Sequence, residues 1–95
     1  MTTVDSIKET LEPVFKSYHV KKAILFGSFA KGTAKDNSDI DIFVDSGLKG
    51  LQFFGLLEDV TTSLNRSVDL IDSSQVQKDS KVMREINKTG ITIYG

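Results

Sequence analysis

The chain has 95 residues, with 12 lysines and arginines against 13 aspartates and glutamates, a formal net charge of -1. That length gives room for one domain with one modest core, and the near-neutral balance supplies no general drive toward nucleic acid or an anionic membrane. With 39% hydrophobic and 26% charged residues, no cysteine and a single histidine, His19, the composition excludes a disordered tail, a disulfide scaffold, a cysteine–zinc site and thiol catalysis, and argues against a His-rich metal site or a Ser-His-Asp triad. No 18-residue apolar run and no signal-peptide pattern is present, so a cytoplasmic location is expected, with residues 1–95 forming one domain.

Taken in chain order, Ile7, Leu11, Val14, Phe15 and Tyr18 recur at the spacing of an amphipathic helix over about 6–18. Pro13 lacks an N–H and is expected to kink that helix or to start a new turn. Ala23-Ile24-Leu25-Phe26 is a short apolar run, as in a buried strand, and it ends at Gly27-Ser28. Residues 29–38 carry loop and turn chemistry, with Asp36 a turn residue. Asp39 to Val44 alternates as a strand does, and Asp45-Ser46-Gly47 marks the next turn. Phe53, Leu57, Val60 and Leu64 give a second helix over 51–64, with Phe53-Phe54 read as one core ring and one partly exposed ring. Ser67 to Asp72 reads as a third strand, with Asp72 starting or capping the next helix. A third helix is expected over 78–88, closed by Gly90 in a left-handed cap, and Ile91 to Tyr94 as a short last strand. His19 reads as a helix-end residue, and Tyr18 and Tyr94 as packing. Alternating helices and strands point to an α/β or α+β fold: a small mixed sheet flanked by helices.

The chemistry concentrates in Gly27-Ser28-Phe29-Ala30-Lys31-Gly32 and Ser38-Asp39-Ile40-Asp41. On a strand, Asp39 and Asp41 share one face while Ile40 and Ile42 take the other. Two carboxylates side by side repel and raise each other's pKa. A divalent cation removes that conflict, and oxygen-only donors favour Mg²⁺ or Mn²⁺. Asp69, flanked by Val68 and Leu70, can join them if the two strands pair. Three carboxylates with two cations suit an in-line displacement at phosphorus, with Asp69 able to accept a proton from the attacking hydroxyl. Gly27 permits close approach of backbone to a phosphate, Ser28 can donate to it, Gly32 reshapes the same loop, and Lys31 can offset triphosphate charge. Each feature is commonplace alone; the combination is not.

Gly27-Ser28, ten residues, then Asp39-x-Asp41 resembles the signature of the polymerase-β-like nucleotidyltransferase superfamily. The Leu-Phe-Gly-Ser-Phe-Ala-Lys-Gly context and the Ser-Asp-Ile-Asp-Ile run resemble its minimal nucleotidyltransferase (MNT) branch, over about 24–94. The resemblance implies transfer of a nucleoside monophosphate from a nucleoside triphosphate, usually ATP, with Mg²⁺ and release of pyrophosphate. By position it makes Asp39, Asp41 and Asp69 the metal-binding and catalytic carboxylates, holding two Mg²⁺ ions. Gly27, Ser28, Lys31, Gly32 and Ser38 become the nucleotide-contacting set. The family often has arginine where this chain has Lys31, which keeps the charge and loses the bidentate fork. Many MNT-type proteins are antitoxins paired with HEPN-domain ribonuclease toxins, and some adenylylate a tyrosine on the toxin. The resemblance therefore implies a HEPN toxin as partner, with no direct nucleic-acid or membrane binding.

Two alternatives stand beside that expectation. One is an antitoxin that acts by occlusion without catalysis. The other is a small-molecule, antibiotic-type nucleotidyltransferase whose missing wall is supplied by dimerisation; a homo- or hetero-oligomer fits either. A P-loop NTPase is a weaker alternative, because Gly27 to Gly32 is followed by Thr33 where that motif needs lysine and then by an Asp-rich strand.

Overall fold

The computed structural model describes residues 2–95. Helix α1 spans Val4–Ser17. It starts where Thr3 and Ser6 exchange hydrogen bonds: Thr3 Oγ1 accepts from the Ser6 N–H at 3.0 Å and Ser6 Oγ accepts from the Thr3 N–H at 2.9 Å. Its apolar stripe buries Ile7, Leu11 and Phe15 completely. The helix runs through Pro13 to Ser17 as a single element, so no new turn starts at the proline. The N–H that Pro13 lacks would have served Glu9, and both residues lie on the exposed side, where water can take the free carbonyl.

Strand β1 is Lys22–Phe26, β2 Ile40–Asp45, β3 Val68–Asp72 and β4 Ile91–Tyr94. They form one sheet in the order β3-β2-β1-β4. β1 is antiparallel to β2 and to β4, while β2 and β3 are parallel. A parallel neighbour needs a crossover, supplied by helix α3, Leu51–Leu64. The mixed sheet flanked by helices is the architecture the alternation of elements implies.

Strand periodicity divides the sheet into two faces. Ala23, Leu25, Ile40, Ile42, Val44, Leu70 and Ile93 lie in the larger core with Ile7, Leu11 and Phe15 of α1 and Leu56 and Val60 of α3. Ile40 and Ile42 thus point into the core as expected. Phe15 and Tyr94 stack tilted there, with ring centroids 5.6 Å apart. Phe26 and Phe43 form a smaller cluster on the opposite face with Ile86 of helix α4, Lys81–Thr89, and with Ile24, Ile71, Val82 and Met83 around it. Phe53 is half-buried and Phe54 exposed, matching the expected division between them. His19, in the left-handed region at φ 57°, is an exposed residue just past α1. Among the described residues no helix is long and apolar enough to cross a membrane.

Three local expectations are corrected. Residues Ser28–Lys31, read as loop, form a one-turn helix, α2, capped by Gly32 at φ 76°. A single turn is too short to show a hydrophobic period. The last helix begins at Lys81, capped by Ser80, and not near Lys78. Gly90 is extended at φ -65° and ψ 146°, not left-handed. It is needed for closeness: a Cβ there would collide with the Ile86 carbonyl oxygen and lie 2.7 Å from Ile24 Cγ2. Gly90→Ala should therefore lower stability by about 1–3 kcal/mol through overpacking, read as a lower urea midpoint.

Asp72 caps the 3-10 turn Ser73–Gln75 with its carboxylate, which accepts from the Ser74 N–H at 3.0 Å. It is also buried, and it accepts from the N–H and hydroxyl of Ser46 and from the Ser74 hydroxyl. Burial alone would raise its pKa, but the hydrogen bonds from Ser46 and Ser74 outweigh this and hold it below the usual carboxylate range. A depressed folded pKa contributes stability above the unfolded value of about 3.9 and loses it as pH falls through the folded value. Asp72→Ala should cost about 1.5–3 kcal/mol at pH 7, and urea titrations should show the gap to wild type narrowing below about pH 4.

Candidate active site

The parallel register of β2 and β3 sets Asp41 directly opposite Asp69. Both alternate with core residues, so both project on the α4 face, beyond the patch that Phe26, Phe43 and Ile86 cover. Asp39 precedes the first residue of β2 by one position and is exposed, as is Asp69; Asp41 is half-buried. The expectation that the strands at 39–44 and 68–72 pair is met, and it brings Asp69 beside the Asp-x-Asp pair.

The turn after β1 closes the site on its other side. Phe26 lies opposite Asp41 across the antiparallel pair, so Gly27 follows at the level of the Asp41 carboxylate. Gly27 is buried with φ 73° and ψ -151°, a conformation essentially confined to glycine. A Cβ there would fall inside the Asp41 carboxylate group, so the backbone and the carboxylate approach as closely as glycine allows. Ser28 opens α2, whose first N–H groups have no intrahelical acceptor.

Burial pushes the Asp41 carboxyl pKa above the usual range, and the neighbouring Asp69, Asp39 and Glu85 push it further. Among the described residues, neither Asp39 nor Asp41 nor Asp69 is paired with a lysine, arginine or histidine; the ion pair present joins Lys31 Nζ to Glu85 Oε1 at 2.9 Å. A half-buried carboxylate facing two more, with no protein cation to balance it, suits a divalent cation held by oxygen donors. Among the described residues no three Asp, Glu, His or Cys side chains are already gathered into a metal-sized cluster. The chemistry of the donor set, three carboxylates that disfavour one another's charge, fits a cation.

Lys31 and Ser38 have roles the sequence did not indicate. Lys31 is held by Glu85 of α4. The Ser38 hydroxyl accepts from the Lys35 N–H at 2.8 Å while the Ser38 N–H donates to the Lys35 carbonyl at 3.0 Å, closing the turn that leads into Asp39. Glu85 was missed because nothing in its helical context shows that α4 docks beside Asp41. Lys31, Lys81, Arg84 and Lys88 line one groove of about 320 Å³ with Glu85 and Thr89, so cations gather at the edge of an acidic centre.

The family model of polymerase beta nucleotidyltransferases matches residues 9–95. This chain belongs to that family. Among its relatives, a Methanocaldococcus jannaschii protein provisionally named protein adenylyltransferase MJ1215 is 38% identical over 82 residues, covering 80% of this chain and 95% of the relative. The protein adenylyltransferase MntA of Thermococcus cleftensis is 31% identical over 94 residues, covering 90% and 95%. In fold, the chain matches a solved complex of a tri-AMPylated Shewanella oneidensis HEPN toxin with an MNT antitoxin, at TM-score 0.73 and 18% identity, over 98% of this chain and 73% of that one. The resemblance read from Gly27-Ser28 and Asp39-x-Asp41 is thereby established at the level of family and fold, and this nucleotidyltransferase keeps the mixed sheet on which the three carboxylates lie.

A raised folded pKa at Asp41 makes its ionisation cost stability. The ionisation penalty is absent below the unfolded value of about 3.9 and complete above the folded value. Asp41→Asn should therefore raise the urea midpoint of the metal-free protein at pH 7 and leave it nearly unchanged at about pH 3, where the carboxyl is protonated in both states.

Proposed function

We propose that this nucleotidyltransferase transfers AMP from ATP to a hydroxyl, that of a tyrosine on a HEPN-domain toxin, and so acts as the antitoxin of a toxin–antitoxin pair. The observation that carries the reading is the register that puts Asp41 opposite Asp69, with Gly27 against the Asp41 carboxylate. The names of the relatives and the AMPylated toxin in the structurally similar complex support the acceptor class.

In this reading Asp39, Asp41 and Asp69 hold Mg²⁺, two ions if all three take part. Bound there, Mg²⁺ would neutralise charge on the reacting phosphate and its leaving group. The chain's own groups do the rest. Gly27 leaves room for the triphosphate to approach the backbone, and the Ser28 hydroxyl and the N–H groups of α2 donate to its oxygens. Lys31 exchanges Glu85 for the terminal phosphates, and the groove beside it offers Lys81, Arg84 and Lys88 to the departing polyanion. The acceptor oxygen bonds to the α-phosphorus. The bond from that phosphorus to the oxygen bridging the β-phosphorus breaks, and pyrophosphate leaves. The hydroxyl proton passes to the Asp69 carboxylate. Gly32 shapes the turn, and Ser38 serves by holding the backbone before Asp39.

With α-labelled ATP, Mg²⁺ and the co-purified toxin, label is expected on the toxin with wild type and none with Asp41→Ala. Asp69→Asn should transfer roughly 10²–10⁴-fold more slowly. Silencing of the toxin without any label transfer would refute catalysis and leave an antitoxin acting by occlusion.

A further inference from the structure

Arg66 stands between α3 and β3, outside the set of residues given a role in transfer. One of its terminal nitrogens, Nη2, donates to two backbone carbonyls, Asp36 O at 2.9 Å and Ser38 O at 2.7 Å. The other, Nη1, reaches Thr2 Oγ1 at 3.4 Å. The guanidinium carbon lies 5.1 Å from the centroid of the Phe29 ring, over the face that α2 offers. One half-buried side chain thus touches the segment before Asp39 and the helix that follows Gly27, and it springs from a backbone position three residues before Asp69. Thr33, Lys35, Asp36 and Asn37 are exposed, and besides the turn that Lys35 and Ser38 close, Arg66 ties this segment to the rest of the fold.

We infer that Arg66 is a positioning residue that sets Asp39 at its working distance from Asp41 and Asp69, and thereby sets the cation affinity of the site. This inference rests on the reading of those carboxylates as a cation site. Ile40 is tied to β3 by its N–H, which donates to the Ser67 carbonyl at 3.1 Å, so β2 is in register from Ile40 onward. Asp39 lies one residue before that anchor, and the carbonyl of Ser38, which adjoins it, is held by Arg66. Two hydrogen bonds from one guanidinium nitrogen, with the guanidinium carbon over the Phe29 ring, fix the angle at which the chain enters β2. Lysine keeps the charge but is shorter, and it lacks both the second nitrogen that reaches Thr2 and the planar group over Phe29, so it cannot reproduce that geometry.

Mn²⁺ binding, followed by loss of the free-ion EPR signal, tests this on wild type, Arg66→Ala, Arg66→Lys, Asp41→Asn and Val14→Ala, with urea midpoints measured alongside. Arg66→Ala should weaken Mn²⁺ binding roughly 10–100-fold, and Arg66→Lys should weaken it about tenfold, as is usual when the support behind a ligand is lost. Val14→Ala loses core packing on α1 and should keep wild-type affinity, which separates positioning from general destabilisation. If Arg66→Ala does not fold, Arg66→Lys decides. Wild-type Mn²⁺ affinity in Arg66→Lys, with Asp41→Asn impaired, would overturn this inference and leave the carboxylate site standing. Wild type binding no better than Asp41→Asn would overturn both.

Discussion

The parallel pairing of β2 with β3 is the constraint on which the rest of the structure depends. It places Asp41 level with Asp69, so two like charges face each other across adjacent strands. Nothing in the pairing rewards this: like charges directly opposite are destabilising. The register is held instead from the other side of the same strands, where Ile40, Ile42, Val44 and Leu70 are buried under α1 and α3. A slip of one residue would turn those apolar groups to solvent and the aspartates into the core. The hydrophobic face thereby enforces the electrostatic strain on the opposite face.

Two aspartates on neighbouring parts of the sheet show how environment separates structure from chemistry. Asp72 is buried and carries hydrogen bonds from both Ser46 and Ser74, so its charge is stabilised and its role is to tie the loop after β2 to the turn after β3. Asp41 is less buried, yet it faces Asp69, Asp39 and Glu85 without a cationic partner among the described residues, and its charge is disfavoured. Strain of that kind is a usual mark of a site that waits for a ligand. The family to which the chain belongs supplies the class of chemistry, and the geometry supplies the reason these residues are proposed for it.

Much of the fold was legible from periodicity alone. Ile7, Leu11 and Phe15 announce α1, and the alternation in Asp-Ile-Asp-Ile announces β2 and both of its faces. What misled was punctuation. Gly27 read as the end of a strand and Gly32 as part of the following loop, although they bracket one helical turn, and Gly90 read as a left-handed cap although it is extended. Glycine signals freedom of conformation and freedom from a side chain with the same letter, and only the neighbours distinguish the two. At Gly90 the neighbours are Ile86 and Ile24, at Gly27 the carboxylate of Asp41.

The sequence by itself determined the candidate groups, because Gly-Ser, Asp-x-Asp and a later Asp are covalent facts whose local spacing already puts Asp39 and Asp41 on one face. It also determined which faces are apolar, and hence that a small sheet must lie between helices. Only the tertiary structure decided that β2 and β3 are parallel neighbours and that Asp69 meets Asp41 and not some other position. It alone decided that α4 brings Glu85 to Lys31, and that Arg66 reaches back to the carbonyls before Asp39. The physical reason is range. Periodicity and caps are set by residues a few positions apart, whereas these contacts join residues far apart along the chain, and they form only when burial of the shared core has fixed the register.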